Sequence, residues 1–122
     1  MGRSSNSRNR LFNLNPDGGL KTDAADSSLL EDPSLIIYNA VLPSKQGFLI
    51  TNGDHTDRIL AKMGNGKTFL EAMHDEKHEP DPPHFTPRIA GLMTLEASGL
   101  KIEFALACKS SFSSEISEVH YH

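Results

Sequence analysis

Four short runs hold polar and charged side chains where an apolar element begins or ends, and these carry the chemistry the chain has to offer. Arg8-Asn9-Arg10 closes a polar leading segment. Tyr38-Asn39 interrupts the apolar run from Leu35 to Val41, where a phenol and an amide must find partners or face a pocket. Asn52-Gly53-Asp54-His55-Thr56-Asp57 sits between a strand-like and a helix-like run. Free N–H groups at a helix start favour anions and a glycine admits close backbone approach. Asp54 and Asp57, however, fit hydroxyl or capping contacts better than a direct phosphate contact. Last, Glu79-Pro80-Asp81 leads through prolines to Thr86-Pro87-Arg88 on a stretch held extended. A guanidinium entering an apolar strand at Arg88 needs an anion. That anion is either a carboxylate of Asp54, Asp57 or Glu79, or a substrate phosphate, whose shape the planar fork matches. Each run also has a plain structural reading: a disordered basic arm, a satisfied core tyrosine, an N-capped turn, an internal ion pair.

Other combinations fail on spacing. Gly66-Lys67-Thr68 looks like the end of a phosphate-binding loop, but Ala61 stands where the first glycine belongs and a helix, not a strand, precedes it. His74 and His78 lie four apart, which would put both on one helix face, but Asp75 stands where the zinc-protease pattern requires Glu and no third ligand follows at helix spacing. No metal and no cofactor are expected. Cys108 has no neighbouring base and reads as a buried structural thiol.

The elements that must position these residues are legible from Leu35 onward. Leu35 to Val41 reads as a buried strand, Pro43 to Gly47 as a turn, and Phe48 to Thr51 as the second strand of a hairpin. A helix is predicted from Thr56 to Met63, stopped by Gly64. A second starts at Thr68, where Thr68 and Glu71 have the spacing of a capping box. Ile89 to Leu95 and Leu100 to Ala107 read as two more strands. The order strand, strand, helix, helix, strand, strand suggests a mixed layered α/β or α+β domain. Residues 13–34 read as a surface excursion and the serine-rich tail after Cys108 as weakly patterned.

Composition bounds the rest. The chain has 122 residues, 37% of them hydrophobic, enough for one domain or part of one. Twelve Lys and Arg stand against 16 Asp and Glu, a net charge of −4 that argues against broad nucleic-acid binding. A single cysteine excludes an intrachain disulfide and points to a reducing, cytoplasmic setting. No apolar run approaches the ~20 residues needed to cross a bilayer.

Taken together, the four segments resemble the IMP cyclohydrolase family of archaea and bacteria. The matching stretches are GRSSNSRNR at 2–10, DPSLIIYN at 32–39, TNGDHTD at 51–57 and EPDPPHFTPRIAG at 79–91. The resemblance covers residues 1–107, with 108–122 as a separate tail. It implies an α+β, four-layered αββα sandwich similar to the N-terminal-nucleophile hydrolases, closing the purine ring of a formamidoimidazole-carboxamide ribonucleotide to give IMP. It implies no cofactor, and a purine nucleotide as partner, with no nucleic acid or membrane; a homo-oligomer is compatible with it. By similarity Arg10, Tyr38 and Glu79 are expected to be catalytic. Asn39, Asn52, Gly53, His55, Thr56, Thr86 and Arg88 are expected to hold base, ribose or phosphate. The family carries a further strand before the position of Met1 and continues beyond residue 107, so the chain reads as a partial member of marginal stability and low or absent activity. The competing reading is a catalytically dead nucleotide-binding or interaction module.

Overall fold

A computed structural model describes residues 8–30, 32–33 and 36–122. Its framework is one seven-stranded antiparallel sheet in sequential order, β1 (Arg10–Leu14), β2 (Leu20–Ala24), β3 (Asn39–Pro43), β4 (Phe48–Thr51), β5 (Arg88–Glu96), β6 (Gly99–Lys109) and β7 (Ser117–Tyr121). Two helices, α1 (His55–Gly64) and α2 (Phe69–Met73), fill the connection from β4 to β5. The domain is α+β. No described helix is long and apolar enough to cross a membrane.

Alternation along the strands sets two faces. Leu49, Ala90, Leu92, Ala105 and Ala107 point one way and are buried with Ile59 of α1 and Phe69, Ala72 and Met73 of α2. The alanines at the sheet centre let the helices approach closely, and the long side chains of α1 and α2 fill the space between. Thr68 caps α2 as its spacing predicts: its hydroxyl accepts from the Glu71 N–H at 3.2 Å, and Glu71 accepts from the Thr68 N–H at 2.8 Å. α1 runs one residue further at each end than expected. Its stop lies beyond Gly64, at Asn65 and at Gly66, which has φ +91°.

Three sequence expectations need correction. The stretch read as a surface excursion contains the β1–β2 hairpin. Asn15 closes its turn, donating from N–H to the Gly19 carbonyl at 2.8 Å while Gly18 adopts φ +86°. The first expected strand shifts along the chain to Asn39–Pro43. Before it, Ile36 and Ile37 both donate to the Pro33 carbonyl in a turn, and Leu35 lies outside the described residues. The tail is not unpatterned, because Ser117–Tyr121 pairs with Ala105–Lys109 as β7. Cys108, on β6, is half-buried rather than buried.

Candidate active site

The four polar runs converge beside the N-terminal end of α1. Arg10 leaves β1 and donates from Nη1 to the Tyr38 hydroxyl at 2.8 Å, with its guanidinium 5.8 Å from the ring centroid. Tyr38 sits just before β3, held there by Thr22. The Thr22 hydroxyl donates to the Tyr38 carbonyl and accepts from its N–H, both at 2.9 Å. Burial raises the Tyr38 pKa, Arg10 opposes it through its charge and its hydrogen bond, and the Glu79 carboxylate adds a smaller push upward; the net shift is upward. The phenol is therefore a neutral O–H donor at neutral pH.

Glu79 stands on the segment between α2 and β5. Its N–H donates to the Thr86 carbonyl at 2.8 Å, and Thr86 is fixed by Asp81, whose carboxylate accepts from the Thr86 N–H at 2.6 Å and hydroxyl at 2.5 Å. Among the described residues no hydrogen bond or ion pair reaches the half-buried Glu79 carboxylate. Burial raises its pKa, opposed by Arg88 and Arg10 and reinforced by Asp81 and Asp54. A carboxylate that no described side chain hydrogen-bonds, with its pKa raised in the neighbourhood of two arginines and a phenol, is suited to proton transfer.

Arg88 opens β5 with a side chain only 12% exposed, paired with the Asp54 carboxylate through Nη1. Asp54 also takes Arg58 at 2.9 Å; burial raises its pKa, and the two arginines outweigh that to leave it lowered. Of the anions considered for Arg88, Asp54 is the one bonded, while Asp57 accepts from Asn39 at 2.9 Å. Asp54 opens α1 without a side-chain cap.

His55 is fully buried against Arg88 and Ile89 at the start of β5. Its Nε2 lies 3.1 Å from the Ile89 carbonyl, which can only accept, so Nε2 carries the proton and Nδ1 accepts from Arg88 at 3.2 Å. Burial first, and then the Arg88 charge, lower its pKa to about 4, so the ring is neutral. Gly53 stands at the meeting point. A Cβ there would lie 3.0 Å from Glu79 Oε1, 3.3 Å from His55 Nδ1 and 3.4 Å from Arg88 Nη1.

The remaining expected residues brace the site. Asn52 Nδ2 donates to the Pro87 carbonyl at 2.9 Å and Oδ1 accepts from the Ile89 N–H at 2.7 Å, so its amide clamps the backbone on both sides of Arg88. Thr56 is fully buried; its hydroxyl meets the Asn39 carbonyl, the Gly53 carbonyl at 3.1 Å and the Thr51 hydroxyl at 2.5 Å. Of the leading run, Arg8 is exposed and residues 2–7 lie outside the described residues.

His74 and His78 do not converge. No group of three or more metal-ligating side chains forms among the described residues. His78 is buried and bonds the Ser117 hydroxyl through Nδ1 at 2.7 Å and N–H at 3.0 Å. His74 lines a groove of about 340 Å³ with Lys67, Leu70, Glu71, Asp75 and Tyr121, which shares no residue with the cluster around Gly53. Thr22 and Ser117 were missed as supports of the site; only the Asn-Pro-Asp-Gly turn before β2 signalled that Thr22 lies in a strand.

The family model for IMP cyclohydrolase-like proteins matches residues 1–118, and the chain belongs to that family. No curated protein matches the chain.

Proposed function

We propose that this member of the IMP cyclohydrolase-like family binds a purine ribonucleotide in the cluster around Gly53 and closes its ring. The supporting observation is the Glu79 carboxylate, unbonded among the described residues, in one neighbourhood with Arg10, Tyr38 and Arg88.

Ring closure joins the carboxamide nitrogen of the substrate to its own formyl carbon. The formyl oxygen takes up the proton that nitrogen loses, then leaves as water while the former formamide nitrogen gives up its proton. The step is intramolecular, so a site that holds the two groups in contact removes much of the barrier. Glu79 is suited to take the carboxamide proton, because its raised pKa makes it a stronger base than an exposed glutamate. Tyr38 is suited to donate to the formyl oxygen. Arg10 occupies a lone pair of the phenol, not its proton, and so orients the hydroxyl without consuming it. Arg10 also places positive charge where that oxygen becomes anionic. Arg88, through nitrogens not engaged with Asp54, and Asn39 are assigned to phosphate, ribose or base; Asn52, Gly53, His55, Thr56 and Thr86 hold those groups in place. Neither metal nor cofactor enters this scheme. The α+β unit corresponds to one sheet and one helical layer of a four-layered αββα sandwich, and the reaction is placed in the cytoplasm.

The test is to supply the formamidoimidazole-carboxamide ribonucleotide and follow IMP by absorbance. Turnover lost in Tyr38→Phe and Glu79→Gln supports the assignment. Turnover that both variants retain overturns it, and IMP binding without turnover in the unmodified chain would mark a binding module.

A further inference from the structure

The Arg88 side chain is only 12% exposed, and a charge so deep needs an anion beside it. Its bonds to described side chains all leave from Nη1, one to the Asp54 carboxylate and one to Nδ1 of the neutral His55 at 3.2 Å. Among the described residues Nη2 and Nε carry none. Asp54 is different: its side chain is 47% exposed, and it makes no capping bond to α1. One carboxylate oxygen takes Arg88 and the other accepts from Arg58 Nη1 at 2.9 Å. Arg58 is held from a second side as well. Its Nη2 donates to Glu76 at 3.0 Å, and the buried Glu76 carboxylate also accepts from Lys62 at 3.1 Å. Asp54, Arg58 and Lys62 follow one another at i, i+4 spacing from the start of α1, so a ladder of alternating charge runs from Arg88 along the helix.

We infer that Asp54 is an exchangeable counter-ion, holding the Arg88 guanidinium in the free protein and yielding it to the phosphate of the bound nucleotide while staying on Arg58. The exchange rests on the nucleotide reading of the Gly53 cluster and assigns the phosphate end of that site. A phosphate that reaches Nη2 and Nε arrives beside the Asp54 carboxylate on the same guanidinium, where like charges repel. The two anions are unequal. A phosphate carries more charge and matches two nitrogens of the planar fork. Asp54 reaches Arg88 through one nitrogen and is half open to water, where an ion pair is worth little. Asp54 is therefore the one that moves. Leaving Arg88 does not strand it, because Arg58 stays paired with it and Glu76 keeps Arg58 in place. Nor does Arg88 lose its aim, since His55 Nδ1 still accepts from it. Asp54 thereby sets how much the phosphate adds to affinity and leaves recognition of the base untouched.

Calorimetric titration of IMP and of inosine, which lacks the phosphate, into the unmodified chain and Asp54→Asn tests the exchange. The variant is expected to bind IMP about two- to fivefold more tightly, the equivalent of one partly exposed ion pair no longer broken, and inosine with unchanged affinity. IMP affinity that is equal or lower in the variant overturns the exchange, because Asp54 is then a permanent support of Arg88. Should the variant not fold, a crystal structure of the unmodified chain with IMP decides. Phosphate on Arg88 with Asp54 on Arg58 alone is expected; IMP bound with Asp54 still on Arg88 overturns the exchange and leaves the nucleotide reading standing. IMP that binds neither chain removes that reading, and the exchange with it.

Discussion

Arg10 Nη1 donates to the Tyr38 hydroxyl at 2.8 Å, joining β1 to the segment before β3 across 28 positions of sequence. The bond sets where the phenol points and leaves its proton free. Tyr38→Phe keeps the ring and deletes only the donor. Ring closure is expected to fall ~10²-fold or more, with KM changed little. Steady-state kinetics checks this, and a kcat within a few-fold of the unmodified chain would remove Tyr38 from the chemistry.

Gly53 is a second point of leverage. A methyl group there would press on Glu79 Oε1 at 3.0 Å and His55 Nδ1 at 3.3 Å. Gly53→Ala is expected to displace the Glu79 carboxylate and cost ~10-fold or more in kcat/KM, since small misplacements of reacting groups are expensive. The thermal midpoint is expected to fall by a few degrees only, because Glu79 is a movable side chain.

Glu79 links activity to pH. Its folded pKa is raised above the ordinary 4.5, so its contribution to stability is complete below that value and is lost as pH rises through the folded value. Glu79→Gln removes that loss. The variant is expected to match or exceed the unmodified chain in urea midpoint at neutral pH while losing ring closure. A variant less stable at neutral pH than at acid pH, relative to the unmodified chain, would contradict the environment assigned to Glu79.

His55 acts in the opposite direction. Its pKa is about 4 when folded and 6.5 otherwise, so below 6.5 the unfolded chain takes up a proton that the folded chain refuses. Stability is expected to fall between those values by up to about 3 kcal/mol. Urea titrations of the unmodified chain and His55→Gln at several pH values isolate this part. Equal slopes in both would rule His55 out as its source.

Ser117 tests whether β7 serves the site. Its hydroxyl holds both the N–H and the Nδ1 of His78, the residue before Glu79. Ser117→Ala leaves the buried His78 N–H without its partner, at a cost of about 1–3 kcal/mol. A matching loss of kcat/KM, restored by Ser117→Thr, is expected. Loss of stability with full activity would make the contact purely structural.

Local rules read α1, α2 and strands β4 to β6 well, because their apolar spacing, the Thr68–Glu71 cap and the turn residues all act within a few positions. They missed β1, β2 and β7, which carry few buried apolar side chains: β1 is exposed from Leu11 to Leu14, and β7 holds none that is fully buried. Those strands exist by pairing with neighbours, which short-range pattern does not encode. At the candidate site, the residue types at Tyr38, Glu79 and Arg88 marked stretches that the fold brings into one neighbourhood. The roles of Asn52 and Thr56 as braces followed only from where the chain places Pro87, Ile89 and Asn39.

The shared site itself is tested most directly by titrating isotope-labelled protein with IMP and following backbone amide shifts. The largest changes are expected at Tyr38, Asn39, Gly53, Glu79 and Arg88, with the groove at Lys67, His74 and Tyr121 unmoved. No shift at saturating IMP, or shifts confined to that groove, would contradict a nucleotide site around Gly53.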